Sequence, residues 1–288
     1  MCGSGRCRVF RYYSVANSLQ HGSGGVASAG MFAIYRCWKE SVKNTILFAD
    51  IHLKPAGEGG EVYDSFLSFL RGIDPDKTER LVCLGDLFDF WYEYRHVMFS
   101  GYFSVLRAFA DLSDAGVALH LVCGNHDFWA GASLEQHLGF HIHHEPTRLP
   151  FGNREALLLH GDGLNTRDYG YRFFKWVARN PLLIRGFRSV HPDHAMALAL
   201  FMSRSSRGFT RVDALSKGPE AHSVRGYAHR LLKDGAAPIV ICGHTHAPVI
   251  EQVAADHGNG LYVNPGDWPH HRSYVVFDGN DFRLCQFT

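Results

Sequence analysis

Five short apolar runs in this chain each stop at a cluster of Asp, Asn or His. ILFA at 46–49 leads into Asp50 and His52, LVCL at 81–84 into Asp86 and Asp89, and VALHLVC at 117–123 into Asn125, His126 and Asp127. ALLLH at 156–160 closes on His160 and Asp162, and PIVIC at 238–242 on His244 and His246. Apolar runs this short, bounded by polar stops, are the pattern of strands buried on both faces of a layered α/β fold. The carboxyl ends of strands in such a sheet lie along one edge, where ligands bind, so the five clusters are expected to converge. Between the first runs, Tyr63, Phe66, Leu67 and Leu70, then Val105, Leu106, Phe109 and Leu112, recur at the spacing of core-facing helices. LYVN, SYVVFD and the alternating FRLCQF predict that the chain closes with strands.

Carboxylate and imidazole together suit a borderline divalent cation such as Mn, Fe, Zn, Ni or Co, whereas Mg or Ca would favour oxygen ligands alone. Residues at i and i+2 on a strand share a face, so Asp50 with His52, and His244 with His246, are each expected to offer two groups on one side. The chain holds 19 His, and these are the ones that fall where ligands are needed. The seven Cys are scattered and without C-x-x-C spacing, which reads as a reduced, cytoplasmic protein with small buried thiols.

With 29 Lys+Arg against 28 Asp+Glu, the chain is neither an acidic tail protein nor a strongly basic nucleic-acid binder. No apolar run approaches the roughly 18 residues of a spanning helix. Residues 1–43 are Gly/Ser-rich and aperiodic, and read as a disordered leader, an organellar presequence or an upstream start before Met31; the folded domain is expected over 44–288. The charge is uneven. Residues 164–235 carry 13 basic and 5 acidic side chains, a net +8, interleaved with YGYRFFKWVARNPLLIRGF and AMALALFM. That segment reads as basic amphipathic helices inserted between two strands that carry motifs.

In order, the clusters spell D-x-H, G-D-x-x-D, G-N-H-D, H-G-D and G-H-x-H, and over about residues 45–268 the chain resembles the calcineurin-like metallophosphoesterases. The resemblance implies a two-sheet β-sandwich flanked by helices around two divalent metals, Mn above all. It also implies that Asp50, His52, Asp86 and His246 hold one metal and Asp86, Asn125, His160 and His244 the other, with Asp86 shared. By the same likeness His126 faces the phosphate oxygens or the leaving group, and Asp89 would hydrogen-bond it and favour its cationic form.

ADIHL, GDLFDFW, GNHDFW, HGDGLNTRDYGYRFFKW, GHTHAP and VNPGDW look more narrowly like the UDP-2,3-diacylglucosamine pyrophosphatases of lipid A biosynthesis, which release UMP and an acylated sugar 1-phosphate. That likeness makes 164–235 a lid over the substrate, with Asn125, His126, Asp168, Tyr171, Ser203, Arg204 and Arg207 as candidate substrate contacts. It implies a protein lying peripherally on the cytoplasmic face of the inner membrane. The chain departs from the family's G-N-R-D in having His126, the general phosphoesterase form.

Three other readings compete. A soluble nucleotide or phosphoprotein substrate would not call for Phe173, Phe174, Trp176, Leu182, Leu183 and Ile184 around the pocket. A non-catalytic scaffold is disfavoured because every ligand position is filled. A nuclease is disfavoured because the net charge of +1 offers little long-range attraction for nucleic acid.

Overall fold

The computed structural model describes residues 43–164, 180–198, 219–256 and 258–288. Each predicted apolar run forms a strand: β1 (Asn44–Phe48), β2 (Thr78–Cys83), β3 (Ala118–Val122), β6 (Arg154–Leu159) and β7 (Ile239–Cys242). The closing runs form β9 (Gly260–Asn264), β10 (Ser273–Phe277) and β11 (Phe282–Gln286). Three further strands, β4 (Phe140–His143), β5 (Thr147–Phe151) and β8 (Val249–Val253), lie at sheet edges. Edge strands escape an apolar-run search because one side needs no burial; β5 even holds Pro150, which an edge tolerates.

The strands build a six-stranded sheet in the order β11-β10-β1-β2-β3-β4 and a five-stranded sheet in the order β5-β6-β7-β9-β8. Within the first, β1 to β4 are parallel; within the second, β6, β7 and β9 are parallel. Leu47, Val82 and Val122 of one sheet meet Leu158, Ile241 and Val263 of the other between the two layers. Alternate residues face outward onto α1 (Gly60–Arg71), α2 (Phe103–Asp114) and α3 (Ala132–Leu138). Phe66 and Phe109 are fully buried there, each worth about 3 kcal/mol of apolar transfer. The expected two-sheet sandwich flanked by helices is the architecture of this chain.

The segment expected as an insertion over 164–235 divides. Its short helix α4 (Pro181–Phe187) is started by Asn180, whose side chain accepts from the amides of Leu182 and Leu183, with Pro181 at the first helical position. α5 (Pro219–Lys233), by contrast, buries Val224, Ala228 and Leu232 against β7 and β9. That helix therefore packs on the body of the fold, its apolar stripe covering the outer face of the second sheet. Asp168, Tyr171, Ser203, Arg204 and Arg207, like residues 1–42, lie outside the described residues.

Candidate metal centre

The polar residues sit just past the strand ends, in sharp turns. Among the described residues, six non-glycine positions have positive φ, and five of them are Asp50 (52°), His52 (48°), Asp86 (52°), His244 (67°) and His246 (54°). The left-handed region costs a residue with a Cβ roughly 1 kcal/mol or more, and such strain gathers where geometry serves a site. Both pairs lie in turns past the strand ends, and the one-side expectation holds for Asp50 with His52 but not for His244 with His246. Asp50 and His52 converge through a turn, while His244 and His246 diverge into separate groups. Ligand atoms of Asp50, His52 and His246 lie within 4.8 Å of one another, and so do those of Asp86, His160 and His244.

Asp86 stands between the two groups. Its Oδ2 is 3.4 Å from His160 Nε2 and 3.8 Å from His52 Nε2, and its Oδ1 accepts the His126 amide at 3.0 Å. His246 Nε2 is 3.6 Å from Asp50 Oδ1 and 3.4 Å from His52 Nε2, and Asp50 Oδ2 accepts the His244 amide at 2.8 Å. The loops lie this close because two glycines allow it. A Cβ on Gly124 would sit 2.2 Å from Asp86 Oδ1, and one on Gly85, at φ 94°, would sit 2.4 Å from His160 Nδ1.

Hydrogen bonding selects which nitrogen each imidazole presents. His160 Nδ1 lies 2.6 Å from the Leu84 carbonyl, which can only accept, so Nδ1 carries the proton and a neutral ring turns a lone pair at Nε2 toward Asp86. His246 Nδ1 donates to Asp267 Oδ2 at 3.1 Å, with the same result. Among the described residues, Asp50 Oδ1, Asn125 Oδ1 and His160 Nε2 are buried with no hydrogen-bond partner. Burial raises the Asp50 carboxyl above the usual range. Burial acts to lower His160 and His246, but Asp86 beside the first and Asp50 beside the second outweigh it and raise both. The site thus demands positive charge, and imidazole with carboxylate and amide oxygen is the donor set for borderline divalent cations. The residues fit two such ions.

His126 is half-buried, its ring edge-on to His52 at 4.8 Å between centroids. The hydrogen bond expected from the Asp89 carboxylate comes instead from the backbone: His126 Nδ1 donates to the Asp89 carbonyl at 2.8 Å. The Asp89 carboxylate itself lies 3.9 Å from His52 Nδ1. Asp127, left open by the sequence, ties these loops together: its oxygens accept the Gly124 amide at 2.7 Å and the Leu87 amide at 2.8 Å. Burial and the Asp86 charge raise its carboxyl to about 6.

The sequence reasoning missed Asp267 and Asn264. Asn264 donates to the Gly243 carbonyl at 3.1 Å and to Thr245 Oγ1 at 2.9 Å, bracing the G-H-T-H turn. Asp267 is fully buried and accepts from the Nδ1 atoms of His246, His270 and His271. Asn264 ends β9, parallel to β7, and Asp267 follows three residues on, so LYVNPGD is a sixth apolar run stopping at polar residues.

Residues 43–248 match the family described as Calcineurin-like phosphoesterase. A UDP-2,3-diacylglucosamine hydrolase from Porphyromonas gingivalis is 32% identical over 225 residues, covering 72% of this chain and 83% of that protein. Another from Pseudomonas entomophila is 29% identical over 252 residues, covering 84% and 98%. Among solved structures, the phosphoesterase Yfce from E. coli aligns with a TM-score of 0.37 at 16% identity, covering 81% of this chain and 87% of that one.

Proposed function

Since this chain belongs to the calcineurin-like phosphoesterase family, we propose that it is a metal-dependent hydrolase that cleaves the pyrophosphate of UDP-2,3-diacylglucosamine into UMP and the acylated sugar 1-phosphate. One observation carries the chemistry: two groups of buried Asp and His converge on a single carboxylate, Asp86. The substrate rests on the relatives named UDP-2,3-diacylglucosamine hydrolase, aligned over most of both chains.

In this reading Asp50, His52, Asp86 and His246 hold one divalent ion and Asp86, Asn125, His160 and His244 the other, manganese in the cell. Bound ions would neutralise charge on the phosphoryl oxygens and acidify a water for in-line attack. The remaining work falls to the chain. His126, with Nδ1–H pinned on the Asp89 carbonyl, presents Nε2 outward; as an imidazolium it donates that proton to a phosphoryl oxygen or to the departing group. Asp89 sets the reach of that ring through its backbone and biases His52 through its carboxylate. In the same reading the segment 164–235 serves as a lid over the substrate, with Asp168, Tyr171, Ser203, Arg204 and Arg207 as substrate contacts together with Asn125 and His126.

A diacylated substrate resides in a bilayer, and among the described residues no helix is long and apolar enough to cross one. Contact with the inner membrane is therefore peripheral in this reading, on the cytoplasmic face. It is supported by Leu182 and Leu183, 74% and 53% exposed on α4, next to Arg185 and Arg188. The test is metal-stripped protein given UDP-2,3-diacylglucosamine with and without Mn²⁺, followed by phosphorus NMR. Release of UMP only with metal supports the reading. Metal-dependent cleavage of bis-p-nitrophenyl phosphate without release of UMP would retain the chemistry and overturn the substrate.

A further inference from the structure

The geometry points to Asp267 as the positioning residue that decides which nitrogen His246 offers to the metal centre, an inference that rests on the reading of His246 as a ligand. Asp267 comes off β9, and His246 comes off the neighbouring parallel strand β7, so a contact between them spans two strands whose register is already set. The carboxylate is fully buried and accepts three imidazole N–H groups: His246 at 3.1 Å and His270 at 2.6 Å on Oδ2, and His271 at 2.5 Å on Oδ1. It also accepts the His271 amide at 3.2 Å. A carboxylate so surrounded has no lone pair to spare and little freedom to turn, and it cannot donate. His246 Nδ1 must therefore keep its proton, which leaves Nε2 to face Asp50.

The adjacent residue strengthens the arrangement. The Trp268 amide donates to the Asp50 carbonyl at 3.3 Å, so residues 267 and 268 hold two members of one ligand group at once. Trp268 is itself fully buried, edge-on to Phe66 at 5.1 Å, with its indole N–H on Ser65 Oγ at 2.9 Å. Tethered to the core by that indole, the loop can hold His246 in its left-handed conformation at φ 54°. His160 supplies the built-in contrast, since its Nδ1 is held by a backbone carbonyl that no substitution at position 267 touches.

The test has two readouts. Histidine ¹⁵N–¹H correlation spectra of metal-free protein at alkaline pH should show His246 protonated at Nδ1, with Asp267→Asn mixing the tautomers and leaving His160 unchanged. Zn²⁺ titration by calorimetry should show Asp267→Asn weakening one of two sites by about 10–100-fold, the size of effect expected from losing an outer-sphere carboxylate. Asp267→Glu should restore part of it. Finding His246 protonated at Nε2 in the unaltered protein would overturn the inference without any variant. So would an Asp267→Asn protein with an unchanged tautomer and two unchanged affinities. If the unaltered protein bound no metal, the metal reading would fail on its own, while the tautomer spectra would still decide what Asp267 does.

Discussion

At the scale of single residues, the site separates groups that hold charge from groups that aim it. Asp86 faces His160 and His52 with one oxygen and receives the His126 amide on the other, so it is the residue whose loss disconnects both halves. Asp86→Ala should abolish hydrolysis and remove most bound metal, as read by elemental analysis of the purified protein. His126→Ala should behave differently: metal content intact, kcat lower by about 10²–10⁴, the usual contribution of a positioned proton donor. Loss of metal from His126→Ala would show that the imidazole is a ligand after all.

At the scale of elements, two packings carry consequences. Phe187 at the end of α4 lies 4.7 Å from Tyr92 and 5.3 Å from Trp129 between ring centroids, while Tyr92 Oη donates to the Ile184 carbonyl at 2.6 Å. Those aromatics extend directly from the G-D-x-x-D and G-N-H-D loops, so α4, within the expected lid, is seated on the loops of the candidate metal centre. Phe187→Ala should cost about 2 kcal/mol, less than a fully buried Phe because this one is half-exposed. It should also raise KM for the lipid substrate far more than for bis-p-nitrophenyl phosphate; an equal effect on both would separate α4 from substrate binding. The second packing lies on the β3–β4 pair, where His120 Nδ1 and His143 Nε2 share a hydrogen bond at 3.1 Å with their rings 8° from parallel. Burial lowers His120 to about 4, helped by His141 and His143. A base with a folded value below its unfolded 6.5 contributes stability that is complete above about pH 6.5 and lost as pH falls toward 4. Urea midpoints measured across that window should fall, and His120→Gln should flatten the slope; an unchanged slope would place the acid sensitivity elsewhere.

At the scale of the whole molecule, five strained residues in three turns and several buried carboxylates gather just past the strand ends, so a bound divalent cation is expected to stabilise the fold. A metal present at 100 times its Kd adds about 2.7 kcal/mol per site. For a domain of this size, Mn²⁺ should then raise Tm by about 5–10 °C per site in a calorimetric scan, and Asp86→Ala should lose most of that rise. No shift in the unaltered protein would count against a buried two-metal centre. The strands that carry the site were legible in the sequence because a strand covered on both faces must be apolar along its length, and its polar stop is abrupt. The edge strands β4, β5 and β8 and the seven-residue α3 were not, since partial exposure leaves no such pattern. Which residues gather as candidate ligands was likewise legible, since they are tied to motifs of fixed spacing. Their arrangement was not. Whether His244 and His246 share a face, whether His126 meets the side chain or the carbonyl of Asp89, and whether Asp267 touches anything at all depend on left-handed turns and on β9 pairing with β7 across an interval of sequence. Local residue types determine what a segment can bury and what it can bind; only the packing of distant segments decides which atoms face one another, because those contacts are set by the relative placement of whole strands.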